Sequence, residues 1–185
     1  MFRTIYIGAD NFSANVLNAL VKSGRCEIVT VGTYPDIQRG RGHKYIPTPV
    51  KTTAIELGIP VLEIPDVNDA QIHSRMAKFG VSVGIIVSFK IVPKEFLSAI
   101  PGGFVNLHPS LLPDLPGAAP VQWAIMHGYS QSGMTTFVVD EKIDAGRILL
   151  QKKFEIGMEE TAGEVFDRIA PDGAQLLADL SLIHI

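Results

Sequence analysis

The run VSVGIIVSF, residues 81–89, is apolar at nearly every position, so a strand formed here has both faces covered. A sheet with one face in water is thereby excluded. The flanking sequence supplies the cover. TIYIG (4–8), EIVTVGT (27–33), IPVLEI (59–64) and GGFVNLH (102–108) read as further strands. Between them lie four helix patterns: SANVLNALVKSG (13–24), VKTTAIELG (50–58), NDAQIHSRMAKFG (68–80) and VPKEFLSAI (92–100). Ser13 and Asn68 are the expected helix caps, and Gly24, Gly58 and Gly80 the expected stops. Strands alternating with helices predict an α/β fold with a mostly parallel, doubly wound sheet. After Pro120 the pattern changes. VQWAIMHG (121–128) reads as a helix that packs Trp123 on the sheet. GMTTFVVD (133–140) and RILLQKKFEI (147–156) read as an antiparallel extension, and residues 159–180 as an amphipathic helix interrupted at Pro171.

A chain of 185 residues, 46% hydrophobic, can bury one substantial core and is expected to form one domain. Its net charge of −3 argues against a stand-alone nucleic-acid binder, although a local basic patch remains open. Such a patch stands in Tyr34–Pro49, where Arg39, Arg41 and Lys44 lie among glycines and prolines. A loop of that length in a compact domain is more often functional than filler. The single cysteine, Cys26, cannot form an internal disulfide, fits a reducing compartment and reads as a small packed residue. No apolar run approaches the roughly 18 residues of a membrane span. Met1–Ile7 lacks the regions of a signal peptide, so cytoplasm is the expected location.

The chemistry concentrates in FVNLHP. Asn106 and His108 stand two residues apart on a strand, hence on one face, and Pro109 ends the strand. Open α/β sheets carry their sites at such carboxyl ends. Asp144 sits in a turn, flanked by Ile143 and Ala145, with Gly146 allowing an unusual backbone. An aspartate on the histidine would fix its tautomer and stabilise its charged form. Asn106, His108 and Asp144 together suit acyl-type transfer: the imidazole relays a proton and the amide donates to a developing oxyanion. Rival chemistries lack their signatures. Gly8 stands alone without the G-x-G-x-x-G spacing of a dinucleotide site, no G-x-S-x-G elbow exists, and no metal is expected without H-x-x-x-H or paired cysteines.

NLHPSLLP, GAAPVQWAI and DEKIDAG resemble the folate-dependent formyltransferases, and GRGHKYIPTPVK narrows the resemblance to the methionyl-tRNA formyltransferases. It runs from about residue 3 to 177. It implies a Rossmann-like catalytic domain, residues 1–180, with helices on both faces of the sheet. In that family a β-barrel domain that helps to bind tRNA follows; it is expected to be absent here, with residues 181–185 (SLIHI) as a non-native tail. The implied reaction moves a formyl group from 10-formyltetrahydrofolate to the amine of initiator methionyl-tRNA, with no metal. Carried over by motif, Asn106, His108 and Asp144 are catalytic, and His108 takes the amine's proton toward the leaving folate nitrogen. Val87, Ser88, Phe89, Lys90, Asp140 and Ile143 would line the folate pocket. Arg39, Arg41, Lys44, Gly117 and Gln122 would meet the acceptor. A monomer in the bacterial cytoplasm is implied, with organelles as open alternatives. The chain departs from the family at Asp114-Leu115-Pro116, which replaces a basic, aromatic stretch, and at Ser88-Phe89-Lys90, where alanine, tyrosine and glycine are usual. GADNFS likewise replaces a threonine–proline pair. Two other readings stay in view: formylation of an amino sugar or purine-precursor amine, and a non-catalytic remnant that binds folate or RNA.

Overall fold

The computed structural model describes residues 2–39 and 44–180. In chain order the elements are β1 (Phe2–Gly8), α1 (Asn11–Lys22), β2 (Cys26–Thr33), β3 (Ile37–Arg39), β4 (Lys44–Ile46), α2 (Pro49–Glu56) and β5 (Val61–Glu63). There follow α3 (Ala70–Ala77), β6 (Val83–Val87), α4 (Lys94–Leu97), β7 (Phe104–His108), α5 (Pro120–Met126), β8 (Gln131–Val138), β9 (Ile148–Glu155) and α6 (Ala162–Asp179). Seven strands form one sheet in the order β5-β2-β1-β6-β7-β8-β9. The first five run parallel, and β8 and β9 extend the sheet antiparallel beyond β7, as the sequence predicts.

Alternation along the strands divides the core in two. Tyr6 and Ile85 face Leu17, Val165 and Ile169 on one side of the sheet, while Ile5, Ile7 and Ile86 face Ile72, Met76 and Phe96 on the other. Both faces of β6 are therefore dry, which is the requirement its apolar run imposes. The chain winds outward from β1 through β2 to β5, then returns to the far side of β1 as β6. That reversal opens a crevice at the carboxyl ends of β1 and β6, the usual ligand position in such sheets.

Four local expectations need correction. Asp10, not Ser13, caps α1: its carboxylate accepts the Ser13 N–H at 2.8 Å, while the buried Ser13 hydroxyl donates to Asp10 O at 2.9 Å. Starting the helix one turn earlier lets Phe12 enter the core. Asp69, not Asn68, caps α3 and accepts the Gln71 N–H at 2.8 Å. Trp123 does not pack on the sheet; it is 46% exposed and stacks on His127, one turn along α5. Finally α6 runs unbroken through Pro171. An interior proline costs about 3 kcal/mol. Here Val165, Ile169, Ala174 and Leu177 are all buried on the same helix, and Gly173 lets it press against Leu107. That long buried face outweighs the lost bond.

Gly146 serves a different purpose from the one expected. A Cβ there would sit 1.7 Å from Val138 O, so glycine admits a backbone contact rather than a left-handed turn. Gly146→Ala is expected to destabilise the fold by about 1–3 kcal/mol through overpacking. The test is the urea midpoint, which falls if the contact is as tight as it stands.

Candidate active site

A cleft of about 780 Å³ opens beside the reversal, over the carboxyl ends of β6 and β7, with Asp10 reaching it from the β1–α1 connection. Ile86, Phe89, Val92 and Val139 give it apolar walls, while Asn106, His108 and Asp144 meet in it from β7 and the β8–β9 connection. Period-2 alternation puts Asn106 and His108 on the same face of β7, opposite Phe137 and Thr135 of β8.

His108 is 5% exposed and held at both ring nitrogens. Its Nδ1 lies 3.4 Å from Asp144 Oδ2, and its Nε2 lies 3.0 Å from Leu115 O. A carbonyl only accepts, so Nε2 carries a proton. Asp144 Oδ2 also accepts the Gly117 N–H at 2.7 Å, whereas Oδ1 has no partner among the described residues. The Asn106 carboxamide likewise has no partner among the described residues and stays half-buried at the cleft wall. Nε2 is thus engaged by a main-chain carbonyl, while Nδ1 faces the Asp144 carboxylate. The unengaged polar atoms are Asn106's amide and one oxygen of Asp144.

Backbone conformation marks the same region. Among the described residues, four non-glycine positions have positive φ: Ser88 (51°), Leu115 (51°), Ala119 (58°) and Asp144 (47°). Ser88, Ala119 and Asp144 line the cleft, and Leu115 supplies the carbonyl on His108. Such conformations cost about 1–3 kcal/mol each and persist where surrounding contacts over-determine them.

The remaining sequence-predicted residues divide into three groups. Ser88, Phe89, Lys90, Asp140 and Ile143 line the cleft, as do Gly117 and Gln122. Val87 does not: its side chain is wholly buried in the core, because it ends a strand covered on both faces. The basic segment is not the plain loop expected but the antiparallel pair β3–β4, with Arg39 paired to Lys44 at its outer end. Lys44 is exposed and lines no part of the cleft, and Arg41 lies outside the described residues. The base of this hairpin is fixed. Lys51 Nζ binds both Asp36 and Glu63 at 2.6 Å, and those hydrogen bonds raise its pKa, Asp36 contributing most. Tyr34 stacks on Phe89 at 4.5 Å and its hydroxyl accepts the Lys90 N–H at 3.2 Å, which ties the hairpin to the cleft wall. Burial raises the Tyr34 pKa, and the Lys90 N–H opposes that. Sequence reasoning missed Asp10 and Leu115. Asp10 lines the cleft but carried only a capping signal, and a backbone carbonyl such as Leu115 O leaves none.

The cleft at the carboxyl end of this doubly wound sheet holds an asparagine, a histidine and an aspartate. The chain belongs to the formyl transferase family, whose model matches residues 3–180. It is 41% identical over 175 residues to the methionyl-tRNA formyltransferase of Porphyromonas gingivalis, a match covering 95% of this chain and 54% of that protein. The same-named protein of Heliobacterium modesticaldum is 39% identical over 178 residues, covering 96% and 56%. The chain thus spans about half the length of the curated relatives it matches. Among solved structures, the phosphoribosylglycinamide formyltransferase of Streptococcus pneumoniae TIGR4 superposes with a TM-score of 0.76 at 22% identity, covering all of both chains. Glycinamide ribonucleotide transformylase 1 of Symbiobacterium toebii gives 0.75 at 21%, covering 97% of this chain and 85% of the other. These two share the Rossmann-like fold.

Proposed function

We propose that this chain transfers a formyl group from 10-formyltetrahydrofolate to the α-amine of initiator methionyl-tRNA. The convergence of Asn106, His108 and Asp144 on one cleft carries the reading of formyl transfer. The acceptor is taken from relatives of that name, which are 36–41% identical across nearly the whole chain. The cleft suits the donor: apolar Ile86, Phe89 and Val92 can cover a flat pterin, Asp140 can accept from its N–H groups, and Lys90 offers a cation to its acidic tail. When bound, the donor supplies the formyl carbon and the nitrogen that leaves. The chain's residues do the rest. Asn106 donates a hydrogen bond to the formyl oxygen as negative charge develops on it. Asp144 Oδ1 receives the amine's proton and passes it toward the leaving nitrogen. His108, anchored through Nε2 to Leu115 O, faces Asp144 at 3.4 Å and orients it. Free α-amines titrate near pH 7.7–8.0, so the nucleophile needs such a proton acceptor. The basic segment with Arg39, Arg41 and Lys44 is the RNA-facing element, with Gly117 and Gln122 nearer the reacting amine. The enzyme works as a monomer in the cytoplasm.

The test is single-turnover transfer of labelled formyl from 10-formyltetrahydrofolate to charged initiator tRNA, with protein in excess. Labelled formyl-methionyl-tRNA is the expected product. Product on an amino sugar or a ribonucleotide amine, with none on tRNA, would replace the acceptor. Folate binding with no transfer to any amine would leave only the binding remnant.

A further inference from the structure

We propose that Gln151 and Thr135 are positioning residues for formyl transfer, acting on His108 through the loop from Pro109 to Gly117; the inference rests on the reaction proposed above. The three side chains stand in one row. His108 of β7 is the cross-strand partner of Thr135 of β8, and Thr135 is the partner of Gln151 of β9. The row ends under the loop that supplies Leu115 O to His108 Nε2. That loop has no helix or strand of its own, and Leu115 sits in the left-handed region. Its position is therefore set by bonds to other elements.

Those bonds converge on one hydroxyl. Thr135 Oγ1, fully buried, donates to Ser110 O at 2.7 Å and accepts the Leu112 N–H at 3.1 Å. Gln151 Nε2 donates to the same oxygen at 3.0 Å and to Leu112 O at 2.8 Å. A hydroxyl has one proton and two lone pairs, and a carboxamide nitrogen has two protons. Every one of these is used. Farther along, the Ser110 hydroxyl donates to Asp114 O at 2.6 Å, next to Leu115. The path from Gln151 to His108 thus alternates hydrogen bonds with short stretches of main chain. A shift of Leu115 O by about 1 Å would release the ring from the position facing Asp144, and misplacements of that size cost up to about 10²-fold in rate.

The test uses Gln151→Met, which keeps the length of an exposed side chain but removes both donors, beside Thr135→Val and Thr135→Ser. In single turnover with saturating substrates, Gln151→Met and Thr135→Val are expected to lower the rate about 10- to 10²-fold with KM unchanged, and Thr135→Ser to restore it. Hydrogen exchange gives a readout independent of activity. The Ser110, Leu112 and Asp114 amides are expected to exchange about tenfold faster in Gln151→Met, the size of one lost hydrogen bond, while amides of α1 stay unchanged. Wild-type rate and wild-type exchange in Gln151→Met would overturn the clamp. So would acceleration spread evenly over the chain, since that is general destabilisation. A wild-type protein that formylates nothing would overturn the reaction, and the loop amides would still decide whether the clamp exists.

Discussion

Formyl transfer is expected to fall by about 10²–10⁴-fold when Asp144 becomes asparagine, the range that a positioned proton acceptor contributes. Asparagine keeps the shape and can still accept the Gly117 N–H now held at 2.7 Å. It loses the charge that His108 faces at 3.4 Å and the oxygen that can take a proton. The fold should therefore survive while the chemistry fails. His108→Ala is expected to lower the rate similarly, but through a different route and with a second symptom. Removing the ring leaves the Leu115 carbonyl without its Nε2 partner and Asp144 without the ring it faces. An unsatisfied buried group costs about 1–3 kcal/mol, so the unfolding midpoint should drop as well. The double variant separates the two mechanisms. If the residues act as one unit, Asp144→Asn adds little on top of His108→Ala in a single-turnover assay. Multiplying losses would show that each acts alone, and an Asp144→Asn enzyme at wild-type rate would remove Asp144 from the chemistry.

The separation between what these residues are and where they sit explains how far the sequence could be read. Period-2 and period-3.6 patterns are local, so the alternating strands and helices were legible, as was the shared face of Asn106 and His108. Two-sided burial of residues 81–89 implied the layered sheet, and the proline ending the Asn106–His108 strand pointed to a site at its carboxyl end. Asp144 betrayed itself by its apolar neighbours. What failed depended on contacts distant in sequence. Asp10 and Ser13 are both good caps, and only the burial of Phe12 decides between them. Trp123 belongs to a helix of seven residues, too short for its pattern to fix which face turns inward. Pro171 reads as a breaker until the buried length of α6 is known. The left-handed backbones of Ser88, Leu115, Ala119 and Asp144 carry no glycine to announce them. The bond at His108 Nε2 was illegible for the same reason, because it comes from a main-chain carbonyl seven residues away.

Asn106→Ala is expected to lower turnover by about 10²–10³-fold with little change in KM, the loss seen when one donor to a developing oxyanion is removed. Its side chain has no partner among the described residues despite its position in a central strand. A carboxamide kept for packing or register would be expected to bond its neighbours, as Gln151 and Thr135 do. Truncating Asn106 therefore leaves no buried protein group unpaired, and the unfolding midpoint should move far less than in His108→Ala. Asn106→Asp sharpens the distinction. Its carboxylate is nearly isosteric with the amide but would place negative charge where the formyl oxygen gains it. A role in transition-state stabilisation predicts that aspartate is worse than alanine, whereas a role in packing predicts the reverse. Single-turnover rates for the two variants, measured beside their urea midpoints, decide between these orders. Equal rates in alanine, aspartate and wild type would remove Asn106 from the reaction and leave the oxyanion to another donor of the cleft.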